Sequence, residues 1–250
     1  MSIVFLYFIA VVLLSRIVFE LLKVKNYKFL IKGVLEVFLL SFMAHSMLEL
    51  LLITVLIVLF NLPLYDIYQQ NKEIETKNVQ SFLLLILYIV FFSFLINKNS
   101  LIIDFNKPLW SLVDLLREYN AFLLDIEFVF AFQILLYFIG SLLMVYEINH
   151  VIRYILHQVK VEPKPSSANK ETEKIDQEEL NRGKIIGIIE RIIIYFLTIT
   201  NNISAIGFII AAKTFARYKQ LDDKDFAEYV LIGTLLSCSI SVFVGLIIKF

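Results

Sequence analysis

Apolar residues gather along this chain in blocks at 2–22, 35–60, 80–96, 126–148, 185–200 and 229–248, separated by short polar stretches. Several blocks approach the roughly 20 residues that a helix needs to cross a bilayer. None shows the regular alternation over about ten residues that a membrane-spanning strand requires. The pattern therefore predicts an all-α protein, a polytopic transmembrane helical bundle. The block 35–60 reads as one long helix ending before Asn61-Leu62-Pro63, its excess length taken up by tilt or an interfacial first turn. Between 109 and 125, leucines alternate with Asp114, Arg117 and Glu118 at helical spacing, which predicts an interfacial helix with Trp110 at the headgroup level.

The polar intervals divide the chain. Residues 1–150 form a four-helix membrane part that includes the interfacial segment. Residues 151–183, with Glu162-Pro163-Lys164-Pro165-Ser166-Ser167 and an acidic run at 171–179, read as a flexible cytoplasmic linker. Residues 184–250 form a C-terminal module with two clear spans, a turn at Thr200-Asn201-Asn202, and a short apolar segment at 203–212. That segment is either a short crossing or a re-entrant helix. Counted as seven crossings, the loops 61–80, 149–184 and 213–228 carry the excess of Lys and Arg, which places the N-terminus in the cytoplasm and the C-terminus outside. The first block lacks a basic leader and a small-residue cleavage pattern, so it reads as an uncleaved first transmembrane helix and not a removable signal peptide.

Composition sharpens the class more than the activity. Hydrophobic residues make up 59% of the chain, far above globular usage. The 23 basic residues balance 23 acidic ones, so bulk charge gives no reason to expect nucleic acid. A single cysteine, Cys238, leaves no intrachain disulfide and no cysteine metal cluster. His45 and Glu49 supply two ligands at most, so no metal is assigned. No Gly-rich phosphate loop or nucleophile motif is present, and the cofactor is left unknown.

Candidate chemistry rests on charges inside apolar helices, where an uncompensated charge is costly. Glu190 and Arg191 interrupt the fifth block; about 100° apart on a helix, they are expected to meet different neighbours. His45 and Glu49 share a helix face at four-residue spacing and together suit proton transfer or structural pairing. Lys213 and Arg217 are candidates for holding an anionic headgroup or for interfacial anchoring. Gly233, Ser237, Ser241 and Gly245 recur every fourth residue along the last block, a strip that permits close helix packing within one chain or between copies.

Three stretches carry a resemblance: Asn181-Arg182-Gly183-Lys184-Ile185-Ile186-Gly187 through Glu190-Arg191, Ala211-Ala212-Lys213 through Arg217, and Glu228-Tyr229-Val230-Leu231-Ile232-Gly233-Thr234-Leu235-Leu236-Ser237. Together they resemble an uncharacterised family of bacterial multipass membrane proteins over roughly residues 181–245. The resemblance implies a membrane module in which Gly187, Glu190, Arg191, Lys213, Arg217, Glu228 and Gly233 belong to one assembly, and it names no reaction. Transport or permeability through a route lined by His45, Glu49, Glu190 and Arg191 is the leading expectation. A membrane enzyme or recognition protein for an anionic lipid-linked substrate is the alternative, and a helical scaffold or adaptor the third reading. The expected partners are membrane lipids, a second copy of the chain, and a cytoplasmic protein met by residues 165–180.

Overall fold

The computed structural model describes residues 3–21, 27–44, 47–69, 74–97, 128–159, 177–216, 218 and 224–249. Among these the chain is all-α. The helices are α1 (Ile3–Leu21), α2 (Lys28–Leu40), α3 (Met47–Gln69), α4 (Ile74–Asn97), α5 (Phe128–Val145), α6 (Glu147–Gln158), α7 (Gln177–Ile199), α8 (Ile203–Ala216) and α9 (Lys224–Lys249). Four stretches are long and apolar enough to cross a membrane: Val4–Leu21, Glu49–Tyr68, Phe132–Gln158 and Ala227–Lys249. They mark an integral membrane protein. Val79–Ser93 and Ile203–Phe215 are shorter apolar helical stretches. The expected interfacial helix at 109–125 and the linker from 160 to 176 lie outside the described residues.

The chain divides into two compact units, Met1–Leu142 and Leu143–Phe250. The break thus falls before α6, whereas the polarity pattern divides the chain at the 151–183 linker. In the first unit α1 to α4 run up and down. Tyr7 of α1 donates to the Leu39 carbonyl at 2.8 Å and Phe19 meets Phe29, so α1 and α2 are antiparallel. Phe29 meets Tyr65 across α2 and α3, and Phe60 stacks on Tyr88 across α3 and α4. Phe8 closes the set by stacking on Phe92 at 3.5 Å between ring centroids. These rings, with buried Leu6, Leu13, Leu40 and Ile57, form the core of the unit.

One expectation is corrected here. Residues 35–60 are not a single helix: α2 ends at Leu40, a short 3-10 turn covers Ser41–Met43, Ala44 is extended, and α3 starts at Met47. The Ser41 hydroxyl donates to the Phe38 carbonyl at 2.6 Å, a local bond that competes with helix continuation. No glycine or proline marks this break in the sequence. At the other end, α3 does not stop before Pro63 but runs through it to Gln69. Pro63 removes one backbone hydrogen bond, a loss that packed membrane helices tolerate. Seven crossings count 35–60 as one helix, whereas the α2–α3 hairpin adds one leg before α3.

In the second unit α9 packs on α7 and α6, and α8 folds back on α7. Met144, Ile148, Ile152, Leu156 and Tyr195 form its core, lined by Ile232, Leu236, Ile240 and Val244 of α9. The turn after α7 holds Asn201 at φ 62°, and Asn202 N–H closes on the Leu197 carbonyl at 2.8 Å. Asparagine tolerates this left-handed position at a helix end better than most residues. Lys249 at the end of α9 donates to the Asn201 side-chain oxygen.

Candidate functional site

Among the described polar residues of the first unit, Glu36 and Ser15 have no exposed surface; Glu36 is the ionisable one. It sits mid-way along α2, on the face turned toward α1 and α3. Lys32, one turn earlier and also buried, donates to Glu36 Oε1 at 2.6 Å. Ser15 Oγ of α1 stands 2.5 Å from the same oxygen and 2.8 Å from the Val12 carbonyl. From α3, Asn61 Nδ2 donates to Glu36 Oε2 at 2.8 Å and to the Ile57 carbonyl at 2.9 Å, while Asn61 Oδ1 accepts from Lys32 Nζ at 2.6 Å. Both carboxylate oxygens are therefore hydrogen-bonded. Three helices each supply one side of the cluster.

The energetics explain why the cluster is so tightly closed. Each charge taken out of water costs several kcal/mol, and mutual attraction offsets that cost only when the remaining donors and acceptors are also satisfied. Here a short ion pair, an amide and a hydroxyl meet that condition. Next to it, Arg16 of α1, 5% exposed, donates to the Ser81 carbonyl of α4 at 3.3 Å. The residue after Ser15 thus ties α1 to α4.

Asn61 has a second role. It also lines a groove of about 800 Å3 along the outer side of the α2–α3 hairpin, walled by Gly33, Val34, Phe38, Val58 and Leu62. The lining is almost wholly apolar. The groove reaches from Phe29 to Ser41 on α2, about 18 Å at the helical rise. A Cβ built on Gly33 would meet nothing within 4 Å, so the glycine widens the groove.

The residues singled out from the sequence fall elsewhere. Glu49 lies in the first turn of α3, about 18 Å along the helix from Asn61. His45 and Arg217 lie outside the described residues. Glu190 and Arg191 belong to the second unit and turn to different neighbours. Glu190 pairs with Lys213 of α8 at 2.5 Å, both side chains being mostly shielded. Lys213, grouped with Arg217 by spacing, is thus joined to an acidic partner on α7. Arg191, 4% exposed, donates from Nε to the Met144 carbonyl at 3.1 Å. That carbonyl lies where α5 gives way to α6 around Tyr146, so the guanidinium caps a backbone group freed by the helix break. Gly187, one turn away, leaves room: a Cβ there would lie 3.4 Å from Arg191 Nη1. Arg191 Nη2 is buried with no hydrogen-bond partner among the described residues.

The small-residue strip of α9 faces its own unit. Gly245 is so close to α7 that an added Cβ would come within 2.9 Å of Thr198 Cβ and 3.4 Å of the Tyr195 carbonyl. Ser241 is fully enclosed and donates to the Ser237 carbonyl at 2.8 Å. Gly233 is looser, with Leu156 Cδ1 at 3.9 Å from a built Cβ.

Sequence reasoning missed Lys32, Glu36, Asn61 and Ser15. Lys32 falls in the polar stretch between the blocks 2–22 and 35–60, Glu36 falls inside the second block, and Asn61 stands at the helix end expected beside Pro63. The available signal was the four-residue spacing of Lys32 and Glu36, which places opposite charges on one face of a helix otherwise apolar. Comparison of the chain with protein-family models, curated proteins and solved structures finds no match.

Proposed function

We propose that this chain is a transport protein of a bacterial cytoplasmic membrane and that its route runs through the first unit, past the Lys32–Glu36–Asn61 centre. The observation that carries the reading is that Asn61 belongs both to a wholly enclosed ion pair and to the wall of an open groove. Ionisable residues within membrane helices are expensive to keep, and they commonly line substrate or ion paths. A centre whose carboxylate is held by three separate helices also has a natural way to respond to movement: displacing any one helix changes the donors around Glu36. The route expected from the sequence, through His45, Glu49, Glu190 and Arg191, is replaced in this proposal by residues of α1, α2 and α3. Glu190, Lys213 and Arg191 then serve to hold α7, α8 and the α5–α6 junction together.

The test is flux in proteoliposomes carrying a pH-sensitive dye and challenged with a panel of ion and solute gradients. Wild-type protein is expected to give a flux that falls at least tenfold in the Lys32→Met, Glu36→Met double variant, which removes the charges together and so keeps the fold. Undiminished flux in that variant, or no wild-type flux across the panel, contradicts the proposal.

A further inference from the structure

We infer that the groove between α2 and α3 binds one long-chain lipid bearing a free hydroxyl, with the chain lying along α2 and the hydroxyl donating to Asn61 Oδ1. This rests on the transport reading only for its consequence, since it names the substrate class that would reach the polar centre.

The apolar part of the ligand follows from the walls. Leu30, Val34, Phe38, Val58 and Leu62 are all more than half exposed and all face the groove. In a chain whose helices are solvated by a bilayer, such a concave apolar surface is filled by hydrocarbon. The groove volume of about 800 Å3 is that of a small-molecule site. Gly33 enlarges it, since a side chain there would enter the groove.

The headgroup follows from hydrogen-bond capacity. An asparagine amide offers two N–H donors and an oxygen with two lone pairs. Both donors of Asn61 are used, on Glu36 Oε2 and the Ile57 carbonyl, while Oδ1 receives only Lys32. The amide orientation is fixed by these partners, because a carboxylate accepts and an ammonium donates. One acceptor position therefore remains on Oδ1 of a residue that lines the groove. It fits an O–H donor and gives nothing to a lipid ester, ether or ionised carboxylate, which present acceptors alone. A hydroxyl also carries no charge into the apolar walls.

The experiment measures binding of oleyl alcohol and of its methyl ether to the purified full chain in nanodiscs, by native mass spectrometry with titration. Saturable binding of one oleyl alcohol per protein is expected, with the ether about tenfold weaker for loss of one hydrogen bond in an apolar groove. Gly33→Phe, which has open space for its ring, should abolish the binding while leaving thermal unfolding unchanged; Val58→Trp fills the groove from the opposite wall should Gly33→Phe fail to fold. Equal binding of alcohol and ether would mean annular lipid only and would overturn the inference. So would binding that survives both groove-filling variants. Binding without flux contradicts the transport reading and leaves this site standing, whereas flux of other solutes with no oleyl alcohol bound overturns this site alone.

Discussion

Lys32 and Glu36 stand one helical turn apart with the cation nearer the N-terminus, the less favourable order for an isolated helix. Their pairing owes its strength to enclosure and to Ser15 and Asn61, which add a hydrogen bond at each carboxylate oxygen. Removing one charge leaves the other buried and uncompensated. Glu36→Gln is therefore expected to cost about 3–5 kcal/mol of stability, with the Lys32→Met, Glu36→Met double variant closer to wild type than either single change. Denaturant unfolding in detergent checks this, and a double variant as damaged as the sum of its singles would count against the ion pair. At the α7–α9 contact, Gly245→Ala forces a methyl group against Thr198 Cβ and the backbone of Tyr195. A loss of about 1–3 kcal/mol is expected from overpacking, while Gly233→Ala should be nearly neutral. Equal thermal stability of the two variants would argue against the close approach. The glycine and serine strip was legible because its four-residue spacing is local and survives any arrangement of neighbours. Glu36 was not legible as a centre, because its importance comes from Ser15 and Asn61, 21 and 25 residues away.

At the scale of elements, the decisive feature is the hairpin made by α2 and α3. Hydropathy sees one apolar block across 35–60, and the break at Ser41–Met43 is invisible to it because the residues there are themselves apolar or small. The turn after α7, by contrast, announces itself in Thr200-Asn201-Asn202, where two asparagines suit a left-handed helix end. The hairpin brings Phe29 against Tyr65 with ring centroids 5.1 Å apart. In a Cys238→Ser background, cysteines at positions 29 and 65 should be joined efficiently by a short thiol cross-linker within one chain. A single helix over 35–60 continuing toward Pro63 would hold those positions far apart, and failure to cross-link in folded protein would favour it. Likewise, Arg191 meets an element of its own unit: its Nε donates to the Met144 carbonyl at the junction of α5 and α6. Charge in an apolar helix was readable from the sequence, but the partner that gives the charge its role was not.

For the whole molecule, the up-and-down course of α1 to α4 sets which helix ends share a membrane face. Single cysteines at Ile3 and Asn97 should label from one face and those at Tyr27 and Gln69 from the other; we propose that the first is the cytoplasmic face. Labelling of positions 27 and 69 from opposite faces would remove α2 as a leg of the bundle. The broad class, a helical membrane protein, was plain from the apolar blocks, since span length and composition are properties of the chain itself. The Glu36 cluster was hidden by the same apolarity, which gives the eye many equivalent helices and no register between them. The claim on which the account turns is that the Glu36 centre is a place that solutes reach, and not a sealed structural bond. Ser15→Cys puts a thiol of nearly the same size against Glu36, and Ser241→Cys puts one in the closed α9 packing of the second unit. With Cys238 replaced, a small water-soluble thiol reagent applied to either face of proteoliposomes should modify position 15 from both sides and much faster than position 241. Resistance of position 15 equal to that of position 241, from both faces, would contradict transport through this centre.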